Sequence, residues 1–178
     1  MALSHLQTPP VPQGGDINGC WAACLSWWLQ AVRGYRYSML DIITFYNKWV
    51  NQDEENPEKD GALTGIGLDR ILTDQRWHLD YEPKISRLEQ VTPELIEKYL
   101  VLSPVLFTYY EPNVEGFHMN VIVSAVNLFD ITSGMMVMDP AYSTFQIRTL
   151  GYYRRYFSKV VLAYSMRPPS SPIIPYAD

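Results

Sequence analysis

A stretch of turn formers, Gly14-Gly15-Asp16-Ile17-Asn18-Gly19, runs directly into Cys20 and then into an apolar segment that continues to Val32. Apolar residues at 20, 23, 24, 27, 28 and 31 have the spacing of a buried helix face. Trp21, Leu25 and Leu29 extend the apolar character nearly all round. A helix of that kind is stable only as a central element, with other parts of the chain packed around it. Gly34 is suited to stop it. Cys20 then lies at the helix N-terminus, where unpaired backbone N–H groups and the positive end of the macrodipole favour an anion. The thiolate is the nucleophilic form of a thiol, so this position supplies both a reactive group and a cause of its reactivity.

The rest of the chain predicts an α+β domain over residues 1–178. Residues 1–14 read as an extended arm, with Pro9, Pro10 and Pro12 favouring polyproline geometry. Ser38 with Asp41 resembles a capping box opening a helix to about Val50. The acidic stretch from Asn51 to Gly61 reads as a solvated surface loop without calcium-loop spacing. A short helix near Gly67–Asp74 and a strand near Trp77–Tyr81 follow. Thr92-Pro93-Glu94 combines a capping hydroxyl, a proline at the first helical position and an early acid, and starts a helix to about Leu100. From Pro104 onward the pattern changes. Val105–Tyr110, Phe117–Val126, Met135–Met138, Phe145–Thr149 and Val160–Met166 are short apolar segments between turn formers, the signature of an antiparallel sheet. The Pro-rich tail, 168–178, reads as an arm. Helices first and strands second define the class.

Composition excludes several functions. The net charge is −5 and the basic residues form no dense stripe, which excludes nucleic acid as a partner. No apolar run approaches the roughly 18 residues needed to span a bilayer. Met1 to Gln7 lacks a basic region followed by an apolar one, so no secretory signal is expected. Two cysteines four apart make no disulfide framework. Together these predict a protein folded in a reducing cytoplasm, with export by a signal-independent route left open. The apolar fraction of 47% and the 13 Tyr, 5 Trp and 6 Phe give material for a large core.

A cysteine nucleophile needs a base, and the base needs an orienting group. Of the three histidines, His5 sits in the arm and His78 beside Trp77, whereas His118 opens the apolar strand Phe117-His118-Met119-Asn120-Val121. Met135-Met136-Val137-Met138 ends in Asp139 and is stopped by Pro140. If these strands pair antiparallel, Asp139 comes beside His118 and can fix its tautomer. Oxyanion donors would be the Cys20 N–H and the side chain of Gln13, with Asn18 a second candidate. Cys24, one turn into the helix on the same face, reads as a small core residue. The histidines have no metal-ligand spacing, and neither a metal nor an organic cofactor is expected.

Gln13, the Gly/Asn loop, Cys20-Trp21-Ala22-Ala23-Cys24 opening a helix, His118 before an apolar strand and Asp139-Pro140 after one together resemble the papain-like cysteine protease superfamily. Its small bacterial branches are the most similar: staphopain-like effector proteases and the double-glycine leader peptidases of bacteriocin exporters. The resemblance spans Gln13 to about Asp139. It implies a helical half, led by the Cys20 helix, packed on a C-terminal antiparallel sheet with the site in the cleft between them. It also implies Cys20 as nucleophile, His118 as general base and acid, Asp139 as orienter and Gln13 as oxyanion donor. The family glutamine usually lies six residues before the cysteine, and here the interval is seven. The implied activity is hydrolysis of peptide bonds in a protein substrate, with Gly or Ala favoured next to the cut if the leader-peptidase likeness is the closer. The implied biology is a toxin or effector, restrained in its producer by an inhibitor protein. Two other classes use the same features: an acyltransferase or glutamine deamidase working through the same triad, and an aromatic-rich binding module with a relic site.

Overall fold

In the computed structural model the described residues are 4–15, 18–53, 55–56, 59–82, 87–111, 115–128, 132–154 and 160–166. The Pro-rich tail lies outside them. Five α-helices and six strands are present among them: α1 (Cys20–Trp28), α2 (Met39–Tyr46), α3 (Gly65–Thr73), β1 (Asp80–Glu82), α4 (Pro93–Leu100), β2 (Val105–Glu111), β3 (Gly116–Leu128), β4 (Thr132–Met138), β5 (Gln146–Thr149), α5 (Leu150–Arg154) and β6 (Val160–Tyr164). The class is α+β.

The strands form one sheet in the order β1-β6-β2-β3-β4-β5, every pair antiparallel. Side chains alternate between its two faces. Leu106, Met119, Val121, Val123, Met138 and Ala163 pack with α1, α2 and α3 on one face. Val105, Phe107, Tyr109, Ile122, Met135, Val137, Val160 and Leu162 pack with α4 and α5 on the other. The strands are therefore apolar at consecutive positions because both faces are covered. The helices do not all gather in one half: α4 and α5 cross to the far side of the sheet.

Every residue of α1 is buried, as its all-round apolar sequence requires. The helix continues as a π-helical turn, Leu29–Arg33, and stops at Gly34, which takes the left-handed φ of +73° that glycine tolerates best. Its indoles find fixed partners: Trp28 Nε1 donates to the Pro104 carbonyl (2.8 Å), Trp27 Nε1 to Thr8 (3.1 Å) and Trp21 Nε1 to Gly61 (3.2 Å). Each such buried side chain contributes about 2–3 kcal/mol by removal from water.

Those partners correct the expected arm. Ser4–Gln7 is a short 3-10 turn, His5 Nδ1 donates to the Ala31 carbonyl (3.0 Å), and Leu6 and Val11 pack on the α1 core. An apolar helix with a polar indole edge needs backbone acceptors, and the arm supplies one. The strand expected at Trp77–Tyr81 begins only at Asp80, because Asp74 holds a turn there. Its carboxylate accepts the Arg76 N–H (3.0 Å) and its carbonyl the Trp77 N–H (3.1 Å). The two expected caps form: Ser38 and Asp41 make the reciprocal capping box of α2, and Thr92 Oγ1 accepts the Leu95 N–H above Pro93 at the start of α4.

Candidate active site

One end of the sheet meets the N-terminus of α1. Cys20 is the first residue of that helix, and its side of the contact is set by the loop before it. Asn18 is buried and donates its side-chain amide to the Asp60 carbonyl, fastening the loop to the 59–61 turn. The other side is set by the β2–β3 hairpin, in which Tyr109 pairs with His118 and Glu111 with Gly116. Gly116 starts β3 where no larger residue fits: a Cβ there would come 2.7 Å from the Ala62 Cβ. The next residue, Phe117, donates its N–H to the Leu63 carbonyl (2.8 Å). These contacts bring the start of β3 under the tip of α1.

Cys20 Sγ lies 3.3 Å from His118 Nδ1. His118 Nε2 lies 2.9 Å from Glu111 Oε2. The imidazole stacks on the Tyr109 ring, with centroids 6.0 Å apart and planes 15° from parallel. Tyr109 and Tyr153 hydroxyls both donate to the buried Asn120 Oδ1, at 3.4 and 2.8 Å, while Asn120 Nδ2 donates to the Met119 carbonyl (3.0 Å). The stack thus rests on a polar floor with its own partners. Burial pushes the His118 imidazole below its ordinary value, while the charges of Glu111 and Asp139 pull the other way. The neutral form with its proton on Nε2 suits both neighbours, donating to Glu111 and presenting the Nδ1 lone pair to the thiol.

A cavity of about 370 Å³ opens beside this pair, lined among others by Gln13, Cys20, Glu111, His118, Asp139 and Tyr142. Gln13 is held there by its backbone N–H, which donates to the Pro140 carbonyl (2.9 Å). Asp139 follows β4, whose last residue, Met138, pairs with Val121, so its carboxylate reaches the same end of the sheet. Its oxygens are engaged by other groups: Oδ1 accepts the Ala141 N–H (3.1 Å) and Oδ2 the Arg148 Nη2 (3.0 Å). The Arg148 guanidinium sits between the rings of Tyr142 and Tyr152, 5.3 and 4.8 Å from their centroids.

Cys20, His118, Asp139 and Gln13, separated by up to 126 positions in the chain, therefore border one cavity. Asn18 does not join them, since its amide faces Asp60. Cys24 is fully buried, and its thiol donates to the Met119 carbonyl at 3.1 Å. Neither cysteine is in a disulfide. Sequence reasoning passed over Glu111 and Arg148. Glu111 was legible only through hairpin register: extending the strand one residue past Tyr110 and pairing it back on Gly116 puts the acid diagonal to His118. Arg148 carried no signal beyond being a lone cation in Gln146-Ile147-Arg148-Thr149. Among the described residues no group of three or more His, Cys, Asp or Glu side chains is placed to hold a metal ion, and no helix is long and apolar enough to cross a membrane. No protein-family model matches the chain, and no curated protein matches it.

Proposed function

We propose that this protein is a papain-like cysteine peptidase that hydrolyses peptide bonds of a protein substrate. The observation that carries this reading is the 3.3 Å contact between Cys20 Sγ, at the start of a helix, and His118 Nδ1, on the wall of a cavity large enough to admit a polypeptide segment. The α+β arrangement, with a buried thiol-bearing helix against an antiparallel sheet, supports it.

The chemistry follows from that contact. The Cys20 thiol gives its proton to Nδ1, and Sγ attacks the scissile carbonyl carbon. A C–S bond forms and the carbonyl π pair moves to oxygen. The oxyanion is received by the Cys20 backbone N–H at the positive end of α1, together with the Gln13 side chain that borders the cavity. Collapse breaks the C–N bond, and the proton on Nδ1 passes to the departing amine. Water then attacks the thioester. Its proton goes to Nδ1, the C–S bond breaks, and the thiolate recovers the proton as the acid product leaves.

The reading is tested by incubating a cell lysate with the wild-type protein or with Cys20→Ala and scoring new peptide N-termini by mass spectrometry. New termini produced by the wild type alone are the expected result, and the residues around them report the cleavage preference. Unchanged termini accompanied by Cys20-dependent glutamine mass shifts or cross-links would replace hydrolysis with acyl transfer. No Cys20-dependent change of either kind would overturn an enzymatic role on proteins.

A further inference from the structure

We propose that Glu111, the last residue of β2, is the positioning residue for His118, and that Asp139 serves the same cavity as a wall clamped by Arg148. The assignment presupposes the Cys20–His118 pair as the reacting unit and adds to it the identity of the third group.

The two carboxylates approach the imidazole from opposite neighbouring strands. Glu111 comes from β2, diagonal to His118 in the hairpin register, and places Oε2 at 2.9 Å from Nε2. Asp139 comes from the end of β4 and is already engaged through both oxygens, with the Ala141 N–H and with Arg148. The Arg148 and Asp139 side chains are only 14% and 12% exposed, and the guanidinium is held between two tyrosine rings. The neutral imidazole has a single N–H to give at Nε2, and Glu111 already lies 2.9 Å from that nitrogen.

The chemistry agrees with the geometry. A carboxylate on Nε2 keeps the proton there in the neutral imidazole, so Nδ1 is free to accept from Sγ. When Nδ1 takes that proton, the same carboxylate stabilises the imidazolium. The charge of Asp139 is largely cancelled by Arg148 at 3.0 Å, so its field at the imidazole is the weaker of the two. The groups that face His118 are Cys20 from α1, Tyr109 and Glu111 from β2, and Asp139 with its Arg148 from the β4–β5 side.

The test uses carbamidomethylation of Cys20 by iodoacetamide, a reaction of the thiolate that needs no substrate, followed by mass spectrometry from about pH 5 to about pH 9. Wild type, Glu111→Gln, Glu111→Asp and Asp139→Asn are compared. Glu111→Gln is expected to slow labelling near pH 6 by about tenfold or more, because the thiolate–imidazolium pair loses its supporting charge. Glu111→Asp should recover part of that loss, and the loss in Asp139→Asn should be the smaller of the two. The reverse order, with Asp139→Asn abolishing reactivity near pH 6 and Glu111→Gln leaving it intact, overturns the assignment. If Glu111→Gln does not fold, through-space proton NMR on the unmodified protein decides. Contacts from the His118 ring protons to the Glu111 side chain are expected, and contacts to Asp139 in their place overturn it. Labelling that depends on Glu111 in a protein that cuts no peptide would remove the hydrolase reading while leaving this placement standing.

Discussion

Cys20 and Cys24 lie one helical turn apart on the same face of α1, and the fold gives them opposite surroundings. Cys20 meets the side chain of His118 and borders a cavity. Cys24 meets the backbone carbonyl of the very next residue, Met119, and no solvent. Burial, and then the charges of Cys20 and Asp139, push the Cys24 thiol well above its ordinary value, so it stays protonated. The contrast comes from β3, where successive side chains point to opposite faces. His118 lies on the face of Tyr109, on which its ring stacks, and Met119 turns into the α1 core. A helix alone does not decide which of its thiols meets an imidazole; the strand packed against it does.

The largest expected effects separate the two thiols. Cys20→Ala should lower turnover of any cleaved substrate by about a thousandfold or more, whereas Cys24→Ala should leave it within about threefold. Comparable losses in both variants would break the comparison. The core half of α1 should carry the stability. Trp28→Ala removes a fully buried indole and its bond to Pro104, and is expected to cost about 3–5 kcal/mol in urea unfolding, against about 1 kcal/mol for Cys24→Ala. Equal costs would mean that the helix is held by something other than its tryptophans.

A smaller effect sharpens the view of His118. Its ionisation is depressed in the folded protein, mainly by burial. The unfolded chain therefore binds this proton more readily than the folded one, and stability rises with pH across that window. The contribution is complete above the ordinary histidine value of about 6.5 and is lost as the pH falls from there toward the depressed folded value. Urea midpoints measured on wild type and His118→Gln should show the variant with a flatter dependence below about pH 6.5. Parallel curves would mean that His118 titrates as if solvent-exposed.

Much of this architecture was legible in the residues. Thr92-Pro93 marked the first turn of α4, Ser38 and Asp41 the cap of α2, and the loop ending at Gly19 the first residue of α1. Each is a local rule acting over three or four residues. The strands were visible as apolar runs, but not which helices cover which face, since that depends on register between distant segments. α5 was missed because Leu150–Arg154 is one short turn containing Gly151. In the candidate site, Cys20 and His118 were found from residue type and position. Glu111 and Arg148 escaped because their meaning lies in pairings: Glu111 becomes a partner of His118 only through the hairpin, and Arg148 a partner of Asp139 only through the β4–β5 ladder.

The central claim is that Cys20 and His118 act as one acid–base unit. The most direct measurement is the rate of Cys20 alkylation by iodoacetamide against pH in wild type and in His118→Ala. Coupling predicts that wild type keeps substantial reactivity well below the ordinary thiol value of about 8.5, as a shoulder that vanishes in His118→Ala. A single titration near about 8.5, identical in both proteins, would contradict it.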